Sequence, residues 1–243
     1  MPSLPFARFC AVGVVVVACA IPAKSSTIDL LVSWRDAGDR DGTWTTGEPV
    51  SGDVIQEGDY LFVSESRAYP GWDIDWDLTI FQTANRESVT SSMAVTNNTA
   101  APQVFSFSNS TTAMTDIGAP TLVITSLSLT VADGNGDGAT VADDGVSPIY
   151  RASLNSSQLA TLGDPLTLTA GAELTNSTTE SNSFGGGPAV VMGDMLTIDN
   201  TFLLSPGDTA TLVSTFAIVP EPATLILCGG MMLMVGARRR RRP

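Results

Sequence analysis

From Thr121 to Ala132 the chain reads Thr-Leu-Val-Ile-Thr-Ser-Leu-Ser-Leu-Thr-Val-Ala, with apolar residues set between serines and threonines at a period near two. A strand sends successive side chains to opposite faces, whereas a helix repeats every 3.6 residues, so this texture suits half-buried strands. It recurs through most of the chain, which is rich in Thr, Ser, Val, Gly, Asn and Asp. Strands are expected at Thr27 to Trp34, Asp59 to Ser64, Trp76 to Gln82, Ser88 to Val95 and Gln103 to Ser108. Five more are expected at Thr121 to Val131, Ile149 to Leu154, Pro165 to Thr169, Ala189 to Ile198 and Ala210 to Ile218. Gly42, Pro70-Gly71, Asn97-Asn98, Gly134 to Gly138 and Pro206-Gly207-Asp208 supply turns between them. The expectation is an all-β, antiparallel β-sandwich, jelly-roll or immunoglobulin-like. Within Thr121 to Ala132, Leu122, Ile124, Leu127, Leu129 and Val131 slip one step near Thr125-Ser126, which predicts a bulge or bend. Thr175 to Pro188 has little to bury and reads as a mobile loop.

Both ends depart from this texture. Residues 1–20 carry Arg8, then an apolar core from Phe9 to Ala20 that ends in small residues, the pattern of a secretory signal peptide. Cleavage is expected between residues 18 and 26, at Ala18-Cys19-Ala20 or Ile21-Pro22-Ala23. Val16-Val17-Ala18-Cys19 also matches a bacterial lipobox, in which Cys19 is lipidated. At the other end Val219-Pro220-Glu221-Pro222 precedes an apolar run from Ala223 to Ala237 and the cluster Arg238, Arg239, Arg240, Arg241 and Arg242. The two prolines keep the motif extended and out of the following helix, leaving Glu221 open to a processing enzyme. The arginines resist crossing hydrocarbon and hold the C-terminus on the cytoplasmic side, so the body lies outside. The run spans about 22 Å as helix against a hydrocarbon core of about 30 Å, and snorkelling arginines or local thinning cover the difference.

Motif, apolar run and arginine cluster together resemble the PEP-CTERM sorting tail of bacterial exported proteins, over about a tenth of the chain. The resemblance implies recognition by an exosortase, a membrane-embedded cysteine transpeptidase or protease. It also implies delivery of the cargo to the cell surface or extracellular matrix. With it come the Sec translocon and signal peptidase as partners, and a membrane-anchored precursor. Three segments result: 1–20, the exported domain over 24–218, and the sorting signal over 219–243.

Composition narrows what the exported domain can do. Cys10, Cys19 and Cys228 all lie in the apolar ends, so the body holds no disulfide, thiol nucleophile or thiolate metal site. There is no histidine, which removes Ser-His-Asp catalysis and imidazole-bound zinc. From Lys24 to Pro220, 24 acidic residues against six basic ones leave 18 net negative charges, which repel nucleic acid and suit divalent cations. A non-enzymatic protein is expected.

The strongest chemical pattern is Asp133-Gly134-Asn135-Gly136-Asp137-Gly138-Ala139 through Asp144. Oxygen ligands at positions 1, 3 and 5 (Asp133, Asn135, Asp137), glycine at 6, the Ala139 carbonyl at 7 and Asp144 at 12 match a calcium loop. Strand signals before it and Gly145 and Pro148 after it place the loop between β elements, with Ca2+ the expected ion. Asp36, Asp39 and Asp41 before Gly42 form a second, less regular cluster. Asp73, Asp75 and Asp77 alternate with Ile74, Trp76 and Leu78, which puts three carboxylates on one strand face. With Trp72 and Trp76 nearby, this segment is the candidate for binding extracellular polysaccharide, and paired carboxylates are also the equipment of a glycoside hydrolase. The leading expectation is a structural or adhesive surface or matrix protein, with a carbohydrate-binding module second and a glycoside hydrolase third.

Overall fold

The computed structural model describes residues 30–36, 41–45 and 54–221, and every regular element among them is a strand. In chain order these are β1 (Leu30–Asp36), β2 (Asp41–Thr45), β3 (Val54–Glu57), β4 (Tyr60–Tyr69), β5 (Trp72–Thr83), β6 (Arg86–Asn97) and β7 (Gln103–Thr112). There follow β8 (Thr121–Ala132), β9 (Ala139–Ala142), β10 (Tyr150–Leu154), β11 (Ser157–Leu162), β12 (Thr167–Ala170), β13 (Thr175–Gly187), β14 (Met195–Leu204) and β15 (Thr209–Pro220). The expected signal peptide, the apolar run and Arg238 to Arg242 lie outside the described residues, and no described helix crosses a membrane.

Over the described residues the chain is all-β, its strands assembled into antiparallel sheets with a curled half-barrel. One sheet runs β13-β8-β15-β6-β5-β4-β3. The other runs β11-β10-β14-β7-β1-β2, with β9 against β14 and β12 against β9. Pairing is nested along the sequence: β6 lies on β15, β7 on β14, β8 on β13, and β10 on β11. Alternation explains why both sheets form: in β5 every second residue from Trp72 to Ile80 is buried, and in β15 Ala210, Leu212, Ser214 and Phe216 are. Trp72 of β5 stacks obliquely on Phe105 of β7 at 5.5 Å between centroids, and Phe105 meets Phe202 of β14 at 5.8 Å, which joins the sheets. Several polar groups of this interior find partners. Tyr150 Oη donates to the Thr215 carbonyl at 2.8 Å, and Asn200 Nδ2 donates to Ser214 Oγ at 2.9 Å. On outer faces, Thr and Ser pair across strands, as Ser106 with Thr201 at 2.6 Å and Thr96 with Thr209 at 2.8 Å.

Four expectations are corrected. There is no bulge in β8 against β15: the register runs unbroken from Thr209 opposite Ala132 to Pro220 opposite Thr121. The buried phase is Val123, Thr125, Leu127, Leu129 and Val131; Thr125 holds it by donating to the Asn182 carbonyl at 3.4 Å, while Ile124 faces outward. Thr175 to Gly187 is a strand and not a loop, paired with β8 from Thr175 opposite Ala132 to Phe184 opposite Val123. An edge strand needs only a hydrogen-bonding neighbour, so its exposed Ser, Thr and Asn side chains are no obstacle. The strand expected at Ala189 starts at Met195, because Val191 to Asp194 form a turn in which Asp194 N donates to the Val191 carbonyl at 2.9 Å. Finally, β15 runs on through Val219 and Pro220, past the expected boundary at Ile218, since a strand's last residue tolerates proline.

Glu87 of β6 is fully buried. Its Oε1 accepts from Met114 N, Thr115 N and Thr115 Oγ1 at 3.1, 3.2 and 3.0 Å. Its Oε2 and the Oε1 of Gln82, the facing residue in β5, have no hydrogen-bond partner among the described residues. Burial pushes the Glu87 carboxyl above the usual carboxylate range despite those three donors. A raised folded-state value means that its contribution is present at low pH and is lost as pH rises through that value. Glu87→Gln should therefore abolish this part of the loss of Tm as pH rises from the ordinary carboxylate range; equal pH slopes for variant and wild type would contradict the assignment.

Candidate functional site

The acidic loop leaves β8 at Ala132 and enters β9 at Ala139, so it does join two strands. Its own side chains shape it. The Asp133 carboxylate accepts from Glu173 N at 2.5 Å, Gly136 N at 3.0 Å and Asn135 N at 3.4 Å. These amides, that of Glu173 foremost, hold the carboxyl below its usual range because they favour the charged form. Gly136 and Gly138 sit at φ +87° and +96°, a region that L side chains avoid.

The loop leans on the turn between β14 and β15. Asn135 Nδ2 donates to the Pro206 carbonyl at 2.9 Å. From that turn comes Asp208, fully buried, whose Oδ1 accepts from Gly134 N at 3.3 Å and whose Oδ2 accepts from Ser205 Oγ. Asn97 pins the turn from below: its Nδ2 donates to the Leu204 and Ser205 carbonyls at 3.0 and 3.1 Å, and its N donates to the Asp208 carbonyl at 2.9 Å. In consequence Asp133, Asp137 and Asp208 each place one carboxylate oxygen within 4.8 Å of the others. Three carboxylate oxygens this close could hold one hard cation, the type of ion that takes oxygen ligands. A cation there also offsets the repulsion among three like charges, one of them buried.

This cluster shares Asp133 and Asp137 with the set the sequence predicts and adds Asp208. Asp144 turns into its own loop, accepting from Val146 N at 2.9 Å and Ser147 N at 2.6 Å. Asn135 uses its Oδ1 to accept from Asp137 N at 3.1 Å, and Ala139 is buried at the start of β9 opposite Ala170. A linear motif has no way to signal Asp208, which arrives from 75 residues beyond Asp133 through the pairing of β8 with β15. Of the second cluster, Asp36 and Asp41 fall in β1 and β2, where only the backbone is described, and Asp39 lies outside the described residues.

The Trp72 to Asp77 segment alternates as expected, and that alternation separates its two chemistries. Trp72 and Trp76 are 3% and 7% exposed and belong to the core, while Asp73, Asp75 and Asp77 lie on the opposite, solvent face of β5. The rings thus form no platform beside these carboxylates. Asp73 accepts from Asn98 Nδ2 at 2.7 Å. On the core side Glu65, Arg67, Tyr69, Trp72, Trp76 and Asn109 border a cavity that offers about 10 Å3 to the centre of a water molecule. That is room for about one water and not for a sugar ring.

The tail motif begins inside the sheet. Val219 and Pro220 pair with Leu122 and Thr121, and Glu221 is half-buried. Glu221 N donates to the Pro120 carbonyl at 3.2 Å, and a Glu221 carboxylate oxygen accepts from Gly186 N. The extended form expected from the prolines is present through Pro220, but Glu221 is not free-standing; Pro222 lies outside the described residues. A scan against family models matches none, and no curated protein matches the chain by sequence.

Proposed function

We propose that the chain is an exported bacterial surface or matrix protein, a structural or adhesive sandwich without enzymatic activity, sorted by an exosortase through its C-terminal tail. The observation that carries this reading is the order Val219-Pro220-Glu221-Pro222, apolar run, five arginines, which begins in the last two residues of the last strand. A signal peptide at residues 1–20 and an anionic body without Cys or His agree with export and with a non-catalytic role. The finer architecture is a jelly roll and not an immunoglobulin fold. Nesting of β6·β15, β7·β14, β8·β13 and β10·β11, with sheet orders β13-β8-β15-β6 and β11-β10-β14-β7, supports it. Carbohydrate binding and glycoside hydrolysis rank lower: the tryptophans are spent on the core, and Asp73, Asp75 and Asp77 face outward along one strand.

Asp133, Asp137 and Asp208 serve as a structural calcium clamp that fastens the β8–β9 loop to the β14–β15 turn. At a Kd of about 0.1 to 1 mM, calcium at 10 mM should stabilise the domain by about 1.4 to 2.7 kcal/mol, a shift of a few degrees in Tm. Asp137→Asn, at an exposed ligand, should remove that shift; a wild-type Tm indifferent to calcium would eliminate the clamp. For the sorting reading, replacing Pro220, Glu221 and Pro222 together by alanine should leave uncut precursor in the membrane. Normal tail removal in that variant would refute it.

A further inference from the structure

We propose that the folded domain withholds its own sorting glutamate: the Gly185-Gly186-Gly187 bulge at the end of β13 clasps Glu221, and tail processing waits on release of that clasp. This rests on the sorting reading above. The clasp is built by a register shift. β13 pairs with β8 without interruption as far as Phe184 opposite Val123, then resumes with Gly187 opposite Thr121, so one extra residue bulges at Gly185-Gly186. On the other side of β8, Thr121 faces Pro220. The bulge and the tail therefore flank the same residue, and Glu221 reaches past the end of β8 to the bulge.

Each glycine of the triplet meets a distinct demand of this contact. Gly186 stands at φ +74°, where glycine is at ease, and points its N–H at the Glu221 carboxylate. A Cβ on Gly185 would overlap Glu221 Oε1 and lie 3.1 Å from its Cδ, so only glycine lets the carboxylate approach. A Cβ on Gly187 would meet Thr121 Oγ1 at 2.5 Å and Val123 Cγ2 at 2.8 Å, so glycine lets β13 close back onto β8. The second hold is the main chain, through Glu221 N and the Pro120 carbonyl at 3.2 Å. An enzyme that reads an extended Val219-Pro220-Glu221 segment must take Val219 and Pro220 out of β15 and strip the Glu221 carboxylate from Gly186. Processing is thereby coupled to fraying of the last turn of the sheet, and not only to arrival at the membrane.

Carboxylate footprinting with a water-soluble carbodiimide and a small amine, on the full chain in detergent micelles, tests the clasp. Glu221 should react far more slowly than the exposed Glu173. In Gly185→Ala the new methyl displaces only the end of a flexible side chain, so Glu221 labelling should rise on the order of tenfold, the equivalent of one lost charge-assisted hydrogen bond. Glu173 should not change, and in the native host Gly185→Ala should lose its tail faster. Equal labelling of Glu221 and Glu173 in the wild type would overturn the clasp. A freed Glu221 with unchanged processing would overturn the gating while leaving the sorting reading intact. Should Gly185→Ala fail to fold, Glu221→Ala supplies the second measurement: hydrogen exchange at the Gly186 amide should accelerate, and an unchanged rate would overturn the contact. Failure of the sorting reading itself shows elsewhere, as normal tail removal without the Pro-Glu-Pro motif.

Discussion

The pairing of β15 with β8 fixes where the chain's chemistry lies. Their register is continuous from Thr209 opposite Ala132 to Pro220 opposite Thr121. At one end, Asp133 follows β8 and Asp208 precedes β15, and the three-carboxylate cluster assembles there. At the other end, Pro120 precedes β8 and Glu221 follows β15, and the tail is tied there. The two ends stand roughly 35 to 40 Å apart, the length of a twelve-residue strand. A slip of one residue would turn Leu212 and Phe216 outward and undo both ends at once. The buried phase of this pair is therefore also the determinant of both candidate sites.

Much of that was legible in the sequence, and the failures have physical causes. Period-two alternation located β5, β6, β8 and β15 because their faces divide apolar from polar. It misread Thr125 because a buried threonine that donates to a backbone carbonyl counts as polar on paper and as interior in the fold. It missed β13 because an edge strand is made by main-chain pairing and leaves no trace in side-chain hydropathy. The acidic loop was visible as a motif, but the approach of Asp208 to Asp133 and Asp137 was not, since local spacing is blind to a contact made across the sheet, and Asp144 turns into its own loop. Gly185 to Gly187 fell within the loop expected over Thr175 to Pro188; these glycines instead allow the approach of Glu221 and the closure onto Thr121.

Buried polar groups set the tolerance of this arrangement. Asn97 shares the two hydrogens of its Nδ2 among three backbone carbonyls, those of Ala101, Leu204 and Ser205, at the corner where β6 meets the β14–β15 turn. Removing such a residue leaves buried acceptors without donors, at about 1 to 3 kcal/mol each, which makes the corner stiff. Asp208 is held on that stiff corner, whereas Asp137 sits on an exposed loop. A cation spanning the two would tie an exposed loop to a buried corner.

The covalent structure of the mature protein bears most directly on the sorting reading. Intact-mass spectrometry of the protein recovered from the surface or medium of its native host gives both termini in a single experiment. Export and tail processing predict a chain that starts between Ala18 and Ser26 and ends close to Glu221, without the arginine cluster. A full 243-residue chain retained in the cytoplasm, with Met1 and Pro243 both present, would contradict it.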